Sequence, residues 1–255
     1  MILEFCGLPG AGKSTLEKEL VASLTKRNSQ VLLRDQAVME NIRTTIWSHY
    51  SSDVQIRRFI TAIYKFYLLA AAFEADIRKV NPASYTSRHL LRCSMRLTED
   101  VRLGEWFVRN SLPHSVLNMS EGIVQHISAC FTWQELLRNR GRVKEAIIPI
   151  LMRYGTHSRI IIHVDTPKEL AFQRLSQRGF PSLWHRDISA ELVIDAFECS
   201  LQKVLTQQGR CQNTTILEVD GTVSKAGWQT VAASLATKIE NIVGNPSSTI
   251  SPHNT

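Results

Sequence analysis

Gly7-Leu8-Pro9-Gly10-Ala11-Gly12-Lys13-Ser14, followed by Thr15, satisfies the spacing G-x-x-x-x-G-K-[ST]. The residue types dictate a chemistry. Glycines let consecutive backbone N–H groups turn inward around phosphate oxygens, at dihedrals a Cβ forbids. The Lys13 ammonium reaches the terminal phosphates, and the Ser14 hydroxyl suits a Mg²⁺ ligand. A helix starting here aims its positive end at the anion. Gly7 through Thr15 are therefore the candidate phosphate-binding set.

Such a loop works only between a strand and a helix. "MILEF" (1–5) runs into it, and "STLEKELVASLTK" leaves it with helical periodicity. Four further strand-like runs follow: "SQVLLRD" (29–35), "HSVLNMSEG" (114–122), "RIIIHVD" (159–165) and "TTILEVDG" (214–221). The fourth is almost continuously apolar, as a strand buried on both faces must be. Strands alternating with helical stretches predict an α/β fold with a parallel sheet and right-handed crossovers. Between the second and third strands, residues 36–113 carry long helical patterns and no good strand signal. Residues 123–155 form a second helical piece. The tail 244–255, rich in Gly, Pro and Ser, is expected to be disordered.

Bulk properties narrow the class. At 255 residues and 44% hydrophobic, the chain can bury a sizeable core. The five cysteines, Cys6, Cys93, Cys130, Cys199 and Cys211, show no metal-ligand or disulfide spacing, which fits a reducing compartment. No apolar run spans a bilayer, and "MILEFC" lacks the basic region of a signal peptide. A cytoplasmic protein with no membrane partner is expected. The net charge is +7, with twenty arginines against ten lysines. The guanidinium fork matches phosphate geometry, so this excess points either to an anionic substrate, phosphorylated or nucleic acid, or simply to a basic solvated surface.

A phosphate-binding loop of this kind is usually accompanied by an acid at the end of the third strand that holds the Mg²⁺ shell. In "SVLNMSEG", Ser120 occupies the usual acid position and Glu121 follows. Glu121 is the candidate, and Ser120 departs from the pattern. A strand-end carboxylate that caps the next helix is the alternative. Gln125, one turn on, either faces the same cleft or is solvated.

The motif "GLPGAGKST" between its flanks resembles those of the P-loop kinases of small molecules, the nucleoside and nucleotide kinase-like group, and is similar to the loops of adenylylsulfate kinase and of several RNA-directed kinases. The resemblance covers 1–243 as an arrangement of strands and motifs, and only the loop is specific. It implies a three-layer P-loop NTPase fold with a five-stranded parallel sheet in order 2-3-1-4-5. It also implies ATP as phosphate donor with Mg²⁺, and a helical acceptor-binding insertion over 36–113. In such kinases an acid at the end of the second strand contacts the acceptor hydroxyl or acts as base, which would be Asp35 here; a helix cap is the alternative. The segment after the fourth strand (166–190) corresponds to the lid, whose Arg174, Arg178 and Arg186 would stabilise the transferring phosphoryl group; an ordinary surface helix position is the alternative for Arg174 and Arg178. Arg174 and Arg178 lie at i and i+4, on one helix face. The turn after the fifth strand runs past the adenine, which would place Gly221 and Thr222 near it.

The acceptor is not written in a motif. Arg88, Arg92 and Arg96 recur every four residues and line one helix side, facing either an anionic acceptor or water. Arg57 and Arg58, and the aromatics Trp47, Tyr50, Tyr64, Tyr67, Trp106 and Phe107, are further candidates, with core packing the ordinary role of the aromatics. Three functions stay open: transfer of the ATP γ-phosphate to a small hydroxyl- or phosphate-bearing metabolite, transfer to a nucleic-acid end or tRNA, and nucleotide binding without catalysis.

Overall fold

A computed structural model describes residues 1–46, 87–110, 114–136, 157–180, 189–211, 213–224 and 226–244. All five expected strands form: β1 (Ile2–Gly7), β2 (Val31–Leu33), β3 (Val116–Glu121), β4 (Arg159–Asp165) and β5 (Thr214–Asp220). Each pairs in parallel with its neighbour, in the order β2-β3-β1-β4-β5. The central strand β1 is buried along its whole length, and β4 everywhere but at Asp165. Such strands need cover on both faces.

Helices supply that cover: α1 (Lys13–Lys26), α2 (Arg34–Ile46), α3 (Ser87–Asn110), α4 (Ile123–Leu136), α5 (Lys168–Arg178), α6 (Ala190–Gln208) and α7 (Gly227–Gly244). Right-handed crossovers put α1, which leads leftward to β2, on one face, and the rightward connections through α4, α5 and α6 on the other. The packing follows: α1 lies against α7, and α4 against α6. Leu16, Leu20 and Leu24 repeat every four residues on α1 and are fully buried, so they form one stripe facing the sheet. No helix among the described residues is long and apolar enough to cross a membrane.

The second strand is shorter than its sequence suggests. It ends at Leu33, and α2 begins at Arg34. The cause is a capping interaction: the Gln36 side chain reaches back and accepts from the Leu33 N–H at 3.2 Å, satisfying an otherwise orphaned donor. Asp35 therefore sits in the first turn of a helix, not at a strand end, where its charge complements the helix dipole.

Parts of the expected insertion and lid, residues 47–86, 111–113 and 181–188, lie outside the described residues, as does the tail from 245. Arg186, Arg57, Arg58, Trp47, Tyr50, Tyr64 and Tyr67 fall there. Of the arginine stripe on α3, only the Arg96 side chain is described. It is exposed and pairs with Glu99 at 3.2 Å, an ordinary surface contact. Phe107 is core, as the bland reading of the aromatics expects.

Candidate nucleotide site

The glycine loop leaves the C-terminal end of β1 and closes on α1. Gly10 and Gly12 have φ of 89° and 99°, the left-handed region. At Gly10 a Cβ would run into the Ala171 carbonyl oxygen, and at Gly12 it would lie 3.0 Å from the Trp228 ring. Gly12 caps α1 with no side-chain acceptor. The N–H groups of Gly10, Gly12, Lys13 and Ser14 accordingly have no acceptor among the described residues. Gln125 ties the loop to α4: its Oε1 accepts from the Gly7 N–H at 3.2 Å. This residue is buried rather than solvated, and it lines the cavity beside the loop.

Lys13 folds into the loop. Its Nζ donates to the carbonyls of Gly7 at 3.0 Å and Leu8 at 3.1 Å, and lies 3.5 Å from Glu121 Oε1. Burial pulls the ammonium pKa down, and the Glu121 charge works against that shift. The Ser14 hydroxyl borders the same cavity.

The backbone of β3 explains why the acid stands at 121 and not 120. Leu3 pairs with Asn118, but Phe5 pairs with Glu121, so β3 carries one extra residue at this point. The bulge places Ser120 in the left-handed region, φ 58°, which is uncommon for a side chain other than glycine. Three hydrogen bonds hold it. Ser120 N donates to Asn118 Oδ1 at 3.1 Å, Ser120 Oγ donates to Glu17 Oε2 at 2.9 Å, and Asn118 Nδ2 donates to Glu17 Oε1 at 2.8 Å. Glu17, on α1, thus clamps the strand end that presents Glu121 to Lys13. No local signal in the sequence marks Glu17 for this role.

Beneath the bulge, Glu4 and Arg159 form a buried pair at 2.9 Å between β1 and β4. Gly122 leaves room for the Glu4 carboxylate, which a Cβ there would strike. Burial raises the Glu4 pKa, and Arg159 opposes the rise.

The expected lid arginines divide. Arg174 is committed to the protein: its NH1 donates to the carbonyls of Gly221 at 2.9 Å and Ala11 at 3.3 Å, joining the β5 turn to the phosphate loop. Arg178, one turn on, is exposed at the cavity edge. Helix α5 stops there, at Gly179 with φ 93°. Gly221 packs tightly against Thr166 and does not line the cavity, whereas Thr222 does. Asp35 is exposed and does not line it either.

These elements enclose a cavity of about 790 Å³. Its polar wall holds Lys13, Ser14, Glu121, Gln125, His126 and Arg178. Its apolar wall is Ala129 of α4, Leu170 of α5, and Val193 and Phe197 of α6. His126 was not singled out by any motif. Among the described residues there is no group of three or more His, Cys, Asp or Glu arranged to hold a metal unaided. Glu121 and Ser14 together offer two oxygen donors at the mouth of the loop, a set that suits Mg²⁺ shared with phosphate oxygens and waters.

No protein-family model matches the chain, and no curated protein matches it. Among solved structures, the chain is similar to that of deoxyadenosine kinase from M. mycoides with bound dCTP, with a TM-score of 0.49 and 12% identity over 93% of this chain and 100% of that one. The strand order β2-β3-β1-β4-β5, with the G-x-x-x-x-G-K-S loop at the C-terminal end of β1, gives the chain the three-layer α/β fold of P-loop proteins.

Proposed function

We propose that this protein is an ATP-dependent phosphotransferase that moves the γ-phosphate to a small hydroxyl- or phosphate-bearing acceptor. The observation that carries the reading is the meeting of Lys13 and Glu121 at 3.5 Å beside a loop of unpaired N–H groups, with Arg178 facing the same cavity. In this reading Gly10, Gly12, Lys13 and Ser14 bind the phosphates, and Thr15 borders them. Ser14 and Glu121 would hold Mg²⁺, which would supply positive charge against the donor phosphates. Arg178 stabilises charge on the transferring group, with Arg186 a further candidate from the lid segment. Arg174 acts earlier, by fixing the loop against the turn that carries Thr222. Thr222 lies near the nucleoside of the donor.

The cavity supports the choice of acceptor size. Protein pockets for small molecules run to several hundred Å³ and combine apolar walls with few polar groups. The wall of Ala129, Leu170, Val193 and Phe197 suits an acceptor with an apolar face. The test is phosphoryl transfer from MgATP to a panel of nucleosides, nucleotides, sugars, sulfonucleotides and RNA ends, with Lys13→Ala as control. Transfer to a small acceptor supports the reading. Transfer only to RNA ends would move the acceptor class, and ATP binding with no transfer would leave a nucleotide-binding protein without this catalysis.

A further inference from the structure

The polar wall of the cavity contains an arrangement that nucleotide binding does not use. His126 lies in the first turn of α4, beside Gln125, which is fixed to the phosphate loop. Its Nδ1 is 2.7 Å from Asp100 Oδ2. Asp100 comes from α3, and its side chain is fully buried. The other carboxylate oxygen, Oδ1, accepts from Arg34 of α2 at 3.0 Å, and Arg34 also reaches Glu99 at 3.0 Å. Three separate helices thus converge on one imidazole.

A buried carboxylate is costly unless partners compensate it. Here the compensating groups are Arg34 and the ring itself, so the carboxylate that Arg34 holds in place orients the imidazole. A carboxylate on Nδ1 fixes the tautomer in which Nδ1 donates and Nε2 carries the lone pair. Nε2 has no partner among the described residues, and the ring is partly exposed where it lines the cavity. An oriented imidazole with its far nitrogen available in a phosphate-binding cavity is built to take a proton.

We infer that His126, held by Asp100, is the general base that takes the acceptor's hydroxyl proton, an inference that rests on the phosphotransferase reading. As the acceptor oxygen bonds to the γ-phosphorus, its O–H bond breaks and the proton passes to His126 Nε2. The bond from the γ-phosphorus to the β–γ bridging oxygen breaks, and its electron pair leaves with ADP. The imidazolium then releases its proton to solvent. Asp100 stabilises the imidazolium and does not take the proton itself. It is a positioning residue, with Arg34 behind it.

The surrounding charges set where this base titrates. Burial lowers the imidazole pKa, but the hydrogen bond and charge of Asp100 raise it more, Glu121 adds to the rise, and Arg34 subtracts from it. Glu4 of β1 also lies within electrostatic reach. The net pKa is above the ordinary histidine value. The acid limb of turnover therefore falls above the range of a free imidazole.

The experiment is the pH profile of kcat for MgATP turnover in the full chain, using the best acceptor of the panel, or water if none is phosphorylated. Wild type, His126→Gln, Asp100→Asn and Asp35→Asn are compared, with affinity for a fluorescent ATP analogue and thermal unfolding measured for each. His126→Gln is expected to lower kcat by about 10²-fold or more, to abolish the acid limb and to leave analogue affinity unchanged; losing the Nδ1 donor to buried Asp100 also lowers the unfolding temperature, so kcat is read well below it. Asp100→Asn is expected to shift the limb to lower pH, and His126→Gln keeps the inference testable if that variant does not fold. A wild-type profile and kcat in His126→Gln overturn the inference while leaving the phosphotransferase reading intact. A limb that survives in His126→Gln and vanishes in Asp35→Asn assigns the base to Asp35 instead. A wild-type protein that binds the analogue but turns over nothing overturns both.

Discussion

Lys13 Nζ lies 3.5 Å from Glu121 Oε1, with the lysine buried and the carboxylate half-exposed. The contact brings together the proposed phosphate-binding cation and the acid proposed to hold the metal, across the gap between the glycine loop and β3. Each partly neutralises the other.

A first prediction concerns the cost of holding Lys13 there. Its pKa is lowered by burial, so the unfolded chain binds its proton more tightly than the folded one. For such a group stability rises with pH through the window between the folded value and the ordinary 10.5. At neutral pH the buried charge is a net burden. Lys13→Met is therefore expected to abolish ATP binding yet raise the unfolding temperature of the ligand-free protein. A lower unfolding temperature in differential scanning calorimetry would contradict this.

The bulge in β3 supplies a second. Glu17→Ala removes both anchors of the strand end and is expected to cost about 1–3 kcal/mol, since it leaves partly buried donors on Asn118 and Ser120 without their acceptor. Turnover should fall further than this loss of stability explains, because Glu121 loses its setting. Ser120→Val is expected to be worse for stability than Ser120→Gly, since a β-branched residue does not accept φ 58° and glycine does. Chemical denaturation of the three variants checks the ranking.

Arg174 and Arg178 are adjacent on one helix face but predict different phenotypes. Arg174→Ala strips the Gly221 and Ala11 carbonyls of their donor, so stability and the KM for ATP are both expected to suffer. Arg178 is exposed, so Arg178→Ala is expected to leave stability unchanged while lowering kcat by about 10²-fold or more. Steady-state kinetics beside thermal melts separate the two. Equal phenotypes would contradict the division.

The Glu4–Arg159 pair predicts a pH signature. An acid whose folded pKa is raised holds its proton more tightly when folded, so its stabilising contribution is present below the unfolded value, 4.5, and is lost as pH rises through the folded one. Removing Arg159 takes away the main opposing charge and widens that window. Arg159→Leu is expected to cost about 3–5 kcal/mol where Glu4 is ionised, and clearly less near about pH 5. A deficit independent of pH would contradict the account.

The features legible in the sequence were those carried by contiguous residues. The loop announced itself through Gly10, Gly12 and Lys13, and the continuous apolar run of β4 placed that strand at the interior of the sheet. The position of Glu121 at the end of β3 is readable because the hydrophobic run before it fixes where the strand ends. The strand pattern extends β2 to Asp35 because the interaction that ends it is a backward reach from Gln36, which such a pattern does not reveal. The Glu17 clamp and the Arg34–Asp100–His126 convergence were invisible for a different reason. Their members lie on separate elements, α1 and β3 in the first and three helices in the second, and only the parallel sheet and its crossovers bring them together.

The most direct test of the central claim is transfer of the ATP γ-phosphate across the acceptor panel by wild type, Lys13→Ala and Glu121→Gln. The account predicts Mg²⁺-dependent transfer to at least one small acceptor by wild type, with both variants at background. Tight ATP binding with no transfer to any acceptor, or transfer undiminished in Glu121→Gln, would contradict it.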